Sequence, residues 1–235
     1  MEKDDYYSRP EWSFSQMKNI ITEGIDYAVA AKRGLLPPPD NKAIDIGQLI
    51  HGELLKQGTS GQFVVSPYSN FRTKEAREWR DTQTLPIITE EDFERLSNSC
   101  GAIITHPLYS TLLFGKIQGL PIRGKADAIK KTEDGFIICD LKTTAQFSDW
   151  KYKAFRMCYD MQALIYSALT GQFKNTKFYF MVVETVAPYR TAVMLAGENF
   201  TDSGEAKLLK CIDEIVKFGD REIDFHQNKT LDDVI

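Results

Sequence analysis

Residues 124–144 read GKADAIKKTEDGFIICDLKTT. Two strand-like runs flank the turn signal Glu133-Asp134-Gly135. In the second run Ile137, Ile138, Cys139 and Leu141 suit a buried strand. Asp140 and Lys142 do not, because carboxylates and ammoniums are seldom fully buried unless they are paired or bind metal. Side chains alternate along a strand, so Asp140 and Lys142 share one face. Cys139 and Leu141 share the other, expected to be the core side. On the preceding run Arg123, Lys125, Asp127 and Ile129 fall on one face. A hairpin centred on Glu133-Asp134 sets Asp127 opposite Asp140. One centred on Asp134-Gly135 sets it opposite Lys142 and diagonal to Asp140. Either even-length turn gathers Asp127, Asp140 and Lys142 on one face.

Residues opposed across two strands have Cβ atoms roughly 4.5–5.5 Å apart. Two carboxylates that close repel unless something positive lies between them. A hard divalent cation answers this, and Mg²⁺ is typically held by one or two carboxylates plus substrate phosphate. Lys142 adds a point charge placed to orient an attacking water and to stabilise charge developing on a phosphate. A cross-strand salt bridge on a solvated face is the competing reading. In the following helix Gln162 and Tyr166 are four apart and share a face, while Arg156, Tyr159 and Ala163 form another line. Lys151, Lys153 and Arg156 bring positive charge near the carboxylates. An ordinary amphipathic helix with Tyr166 at the core edge has the same spacing.

Working outward, residues 1–12 read as a polar arm. Ser13 with Gln16 forms a capping box, and a helix is expected from there to Arg33, ended by Gly34 and a run of prolines. A second helix is expected over about 42–56 and a short strand at 63–65. Helices are expected over 74–80 and 89–105, the latter with acidic residues in its first turn. Strands are expected at 113–117, 120–130, 136–143, 177–185 and 190–195. A helix over 150–169 ends at Gly171, and a last helix, capped by Thr201 or Ser203, runs to about 218, before a polar tail over 219–235. Helices, a strand meander, a helix, two strands and a helix describe one α/β domain with a mixed sheet.

The 235 residues are enough for one sizeable core. A net charge of -4 leaves no overall basic footprint, so a polyanion must be met by a local patch. None of the four cysteines sits in a C-x-x-C, which disfavours zinc ribbons and iron–sulfur clusters, and suggests reduced thiols in a cytosol. The opening Met-Glu-Lys-Asp-Asp is polar, so no secretory leader is expected, and no apolar run reaches membrane-span length. No G-x-x-x-x-G-K-[ST] motif is present, so no ATP motor is expected.

Gly124-x-x-Asp127, Asp140-x-Lys142-Thr143 and Gln162-x-x-x-Tyr166, in that order, resemble the PD-(D/E)XK nuclease superfamily. Within it, the motifs look like the branch holding the RecB nuclease domain and the RecE (exonuclease VIII) type phage recombination exonucleases. Gly47-Gln48-Leu49-Ile50-His51 is similar to that branch's G-x-x-x-H helix, and Ser13-Phe14-Ser15-Gln16-Met17 to its serine-rich first helix. Val64-Val65-Ser66-Pro67 with Arg72-Thr73-Lys74 is similar to RecE-like proteins. The likeness covers about 13–218. Ala126 stands where the superfamily name has its proline.

The resemblance implies a restriction-endonuclease-like domain over 13–218, a mixed central sheet flanked by helices with a helical N-terminal portion. It implies that Asp127 and Asp140 hold Mg²⁺, with Mn²⁺ able to substitute, and that His51 and the backbone carbonyl of Leu141 complete the metal shell. Lys142 would be the catalytic lysine, with Gln162 and Tyr166 supporting the site or touching DNA. Lys125, Lys130, Lys131, Lys151, Lys153 and Arg156 would line a basic channel, or simply form a solvated charged surface. The expected activity is an exonuclease on double-stranded DNA ends, acting as a homo-oligomeric ring beside a single-strand annealing protein, in the host cytosol of a phage or prophage. A structure-specific endonuclease, or a non-catalytic DNA-binding module, would fit the same motifs. His106 and His226 lack motif context.

Overall fold

In the computed structural model, which describes residues 6, 8–36, 63–85, 87–101 and 110–220, the capping box forms as the sequence predicts. Ser13 Oγ accepts from the Gln16 amide at 3.3 Å, and Gln16 Oε1 accepts from the Ser13 amide at 2.9 Å. Helix α1 (Phe14–Thr22) follows a two-residue strand, β1 (Trp12–Ser13). The helix expected to continue to Arg33 breaks at Gly24, where φ is +93°, and resumes as α2 (Ile25–Lys32). The expected helix at 42–56, and His51 with it, lies outside the described residues.

A small parallel pair, β2 (Val64–Ser66) with β3 (Ile87–Thr89), brackets α3 (Lys74–Asp81), and α4 (Glu90–Gly101) follows. Strands β4 (Thr111–Ile117) and β5 (Leu120–Ala126) form a hairpin, and β1 adds to β5 in parallel. The principal sheet has the order β6-β7-β8-β9, made of Ala128–Lys131, Phe136–Thr144, Thr176–Glu184 and Thr191–Leu195. β7 and β8 run parallel, and the crossover between them carries α5 (Trp150–Arg156) and α6 (Tyr159–Leu169). Helix α7 (Glu198–Phe218) closes the described chain. Among the described residues no helix is long and apolar enough to cross a membrane.

Three further elements differ from the periodicity. The strand expected over 120–130 is two strands, interrupted at Asp127. The helix expected over 150–169 is broken at Cys158, which takes a left-handed φ of +56° although neither Gly nor Pro marks the place. The last helix begins at Glu198, ahead of Thr201 and Ser203, whose hydroxyls bond back to the Glu198 and Phe200 carbonyls as helix-interior side chains do.

The main core forms where α6, α1 and α7 cover the sheet. Met161, Ile165, Met17, Ile20, Leu208 and Cys211 meet Ile138, Phe178, Phe180 and Val182 there. The β7–β8 register pairs Ile138 with Phe178, Asp140 with Phe180 and Lys142 with Val182. Registered neighbours share a face. Asp140 and Lys142 therefore lie on the main core face, beneath α6, and the expectation that Cys139 and Leu141 define the core side is corrected. Leu141 is still fully buried, on the opposite face, and Cys139 is half-buried. The charged pair thus sits at the end of a buried apolar surface.

Candidate active site

The hairpin between β6 and β7 turns on Glu133-Asp134, and the Thr132 amide donates to the Gly135 carbonyl at 2.8 Å. Ala128 pairs with Cys139, so Asp127, one step beyond, falls across from Asp140. This is the first of the two registers the sequence allows. At this step the chain leaves the ladder. The Asp127 carboxylate, not a backbone carbonyl, accepts from the Leu141 amide, at 2.7 Å. Strand pairing is given up for one residue, and a carboxylate is fixed at the break.

Asp140 is 3% exposed. Its Oδ1 accepts from Gln162 Nε2 at 2.8 Å, and its Oδ2 lies 2.6 Å from Lys142 Nζ. The Lys142 ammonium also rests 4.4 Å from the centre of the Tyr159 ring. Burial pulls the Lys142 pKa down, but the Asp140 carboxylate, Tyr159 and Asp127 outweigh it and leave the pKa above the ordinary lysine value. Lys142 is therefore a cation at any working pH. Tyr166, one turn after Gln162, receives hydrogen bonds from the Lys125 backbone and the Gln162 side chain. Burial first, then the Asp140 charge, push its phenol far above the usual tyrosine range, so it stays neutral.

Gly124 explains how Tyr166 reaches this place. A Cβ on residue 124 would stand 2.8 Å from Tyr166 Cε1, so the ring lies directly on the strand backbone. Gly124→Ala is expected to displace the ring and cost about 1–2 kcal/mol, as overpacking does. A denaturation midpoint, with near-ultraviolet circular dichroism to follow the tyrosine, measures it.

The structure thus brings together Asp127, Asp140, Lys142, Leu141, Gln162 and Tyr166. The basic residues are not one patch. Lys125 lies on β5. Lys153 Nζ donates to the Thr143 carbonyl at 2.8 Å and, with exposed Arg156, lines a cavity of about 290 Å³ at the end of β7. Lys151 instead borders an apolar cavity of about 500 Å³ with Trp150, Phe180 and Phe200. The line Arg156, Tyr159, Ala163 does not form, because the helix breaks between its first two members.

Sequence reading missed Tyr159 as a site residue, although it stands three positions before Gln162, a spacing that shares a helix face. It also missed Glu184. This carboxylate, 2% exposed, is gripped by Arg190 Nε and Nη2 at 2.8 and 2.7 Å and accepts from the Phe147 amide at 3.1 Å. It ties the turn after β7 to the β8–β9 hairpin. Its only sequence signal is a lone acid ending an apolar strand. The Arg190 hydrogen bonds hold its pKa at about 2 against an ordinary 4.5. A depressed carboxylate stabilises the fold fully above its unfolded pKa, and that contribution fades as pH falls through the folded value. The stability gap between wild type and Glu184→Gln, from urea unfolding, is expected to be constant from pH 7 to about 5 and to shrink towards pH 2.

A family model described as a PDDEXK-like domain of unknown function (DUF3799) matches residues 13–224. The chain belongs to this family. A crystal structure described as a "putative exonuclease" from Eubacterium rectale shares the fold, with a TM-score of 0.63, 15% identity, and coverage of 94% of this chain and 88% of that one. The crystal structure of SSO0001 aligns over 70% of this chain and 86% of its own, at 16% identity and a TM-score of 0.30. No curated protein matches the chain. Family and fold support a nuclease on a single restriction-endonuclease-like α/β domain.

PDDEXK nucleases generally use divalent metal ions, and the side chains present fit one. Asp127, at the break before β6, falls across from Asp140 on β7, and each carboxylate has about four lone-pair directions, which the bond from Leu141 does not exhaust at Asp127. Among the described residues no cluster of three or more His, Cys, Asp or Glu side chains forms, so Asp127 and Asp140 are a pair of carboxylates that could hold an ion without a third such side chain. That is the sparse set Mg²⁺ accepts when water and phosphate oxygens complete its shell.

Proposed function

We propose that this protein is a Mg²⁺-dependent deoxyribonuclease, with Mn²⁺ able to substitute, that hydrolyses phosphodiester bonds as an exonuclease on double-stranded DNA ends. The observation that carries the reading is the group of buried Asp127 and Asp140 with half-buried Lys142, set at a strand break and clamped by Gln162. Asp127 and Asp140 would hold the metal, joined by His51 and the Leu141 carbonyl. When bound, a divalent cation there supplies an activated water and neutralises the scissile phosphate.

The chain's own residues do the rest. The Lys142 ammonium orients the attacking water and stabilises negative charge growing on the phosphorus oxygens. Gln162 fixes the Asp140 rotamer through Oδ1, so the other oxygen keeps its direction. Neutral Tyr166 holds Gln162 in turn. Hydrolysis forms a bond from water oxygen to phosphorus, breaks the phosphorus–oxygen bond to the leaving sugar, and protonates that sugar oxygen. Lys125, Lys151, Lys153 and Arg156 contact the DNA backbone. The resemblance to phage recombination exonucleases adds a ring of identical subunits around the duplex and a single-strand annealing partner.

Digestion of linear and covalently closed duplex DNA in Mg²⁺ tests the reading. Loss of the linear form alone is expected. Cutting of closed circles would make the protein an endonuclease of the same fold. Intact linear and circular DNA, in Mg²⁺ and in Mn²⁺, would leave a DNA-binding module and overturn the proposal.

A further inference from the structure

Tyr152 is 77% exposed, the most exposed large apolar side chain among the described residues. Packing gives no reason for it, since α5 buries Trp150 and Ala154 and leaves Tyr152 in solvent. It stands between Lys151 and Lys153, and Arg156, one turn on, shares its face. Tyr152, Lys153 and Arg156 line the cavity of about 290 Å³ together with Thr144, Gln146 and Asp149. The bond from Lys153 to the Thr143 carbonyl moors this wall to the end of β7.

The cavity lies in line with the proposed reaction centre. Thr144 follows Asp140 and Lys142 on the same face of β7. At about 3.3 Å per residue it is roughly 7 Å beyond Lys142 and roughly 13 Å beyond Asp140. One DNA strand advances about 3.4 Å per nucleotide, so a strand cut at the carboxylates reaches the cavity within roughly four nucleotides.

We infer that this cavity takes an unpaired nucleotide of the DNA strand, its base stacked on the Tyr152 ring and its phosphate on the Arg156 guanidinium. The inference rests on the nuclease reading and adds that the two strands part near the site. A phosphate alone would be satisfied by the cations and would give no reason for a solvent-exposed phenol. A base offers its π-face to a side chain only when it is out of the duplex stack, and such stacking tolerates any sequence. Asp149, the carboxylate in the lining, leaves the Arg156 side as the place for the phosphate. In a chain of net charge -4 the grip on a polyanion has to be local.

The test uses duplexes with a four-nucleotide single-stranded tail carrying 5-iodo-2′-deoxyuridine, irradiated with the full-length protein in EDTA, and adduct mapping by mass spectrometry. An adduct on Tyr152 is expected. Affinity for the tailed duplex is expected to fall about tenfold in Tyr152→Ala and to survive in Tyr152→Phe, while blunt duplex affinity changes by no more than about twofold. Arg156→Gln is expected to lower the salt slope of tailed-duplex binding by about one. Adducts that avoid Tyr152, or equal losses on tailed and blunt DNA, would overturn the inference. Digestion of linear duplex in Mg²⁺, run in parallel, separates the two readings. A Tyr152 adduct without digestion sinks the nuclease and keeps the nucleotide site, whereas digestion without the adduct sinks the nucleotide site alone.

Discussion

Lys142→Ala is expected to slow digestion of linear duplex DNA by about two to three orders of magnitude, the usual consequence of deleting a preorganised charge aimed at a reacting oxyanion. It is also expected to destabilise the fold. Asp140 is 3% exposed, and its Oδ2 faces the Lys142 ammonium at 2.6 Å. Removing one partner of a buried pair leaves an uncompensated charge and costs about 3–5 kcal/mol. Replacing both by neutral groups costs far less, so the double variant Asp140→Asn with Lys142→Met is expected to recover most of the lost stability and none of the activity. Urea unfolding and a digestion time course on the same preparations separate the two roles. If Lys142→Ala lowers stability but digests DNA at the wild-type rate, Lys142 is a structural counter-ion and has no part in the chemistry.

Gly204→Ala is expected to be the most damaging single methyl on the surface between α6 and α7. Its Cβ would meet the Asp160 carbonyl carbon at 2.5 Å, the Asp160 oxygen at 2.6 Å and the Met161 nitrogen at 2.7 Å. All three are backbone atoms, so no rotamer change relieves the clash and the helices must part. Parting them strains a buried network in which Asp160 Oδ2 takes Ser203 Oγ and Lys207 Nζ, each at 2.7 Å. Overpacking of this kind costs about 1–3 kcal/mol. In a domain of this size that lowers Tm by roughly 3–10 °C. Gln162 and Tyr166 ride on α6, so activity should fall with stability. Gly197→Ala is the control, because its Cβ meets nothing within 4 Å and its φ is an ordinary -73°. Equal melting temperatures for the two variants would show that the helices yield at Gly204.

The residues that meet in the site were legible because their chemistry conflicts with their context. An Asp and a Lys in an apolar strand, a second Asp in register across a two-residue turn, and Gln and Tyr one helical turn apart mark it in the sequence alone. The side of the sheet was not legible. Ile137, Cys139 and Leu141 look more apolar than Ile138, Asp140 and Lys142, so alternation alone puts the charges in water. The structure buries them because α6 brings Gln162 and Tyr159 to receive them. The break at Asp127 was hidden for a related reason. Strand-forming residues continue on both sides, and only the carboxylate's bond to Leu141 replaces the missing ladder contact. The break at Cys158 has no local cause in the sequence. Just beyond it, at the start of α6, the buried Asp160 carboxylate takes Lys207 Nζ and Ser203 Oγ. Gly124 is legible as part of a motif, but its purpose is visible only once Tyr166 is seen against its backbone.

The most direct measurement follows end-labelled linear duplex DNA incubated with wild type and Asp140→Asn, in Mg²⁺ and in EDTA. Release of label by the wild type in Mg²⁺ alone, and none by Asp140→Asn in either buffer, is the expected result. Release that persists in EDTA, or an Asp140→Asn variant as active as the wild type, would contradict a metal-dependent nuclease centre built on these carboxylates.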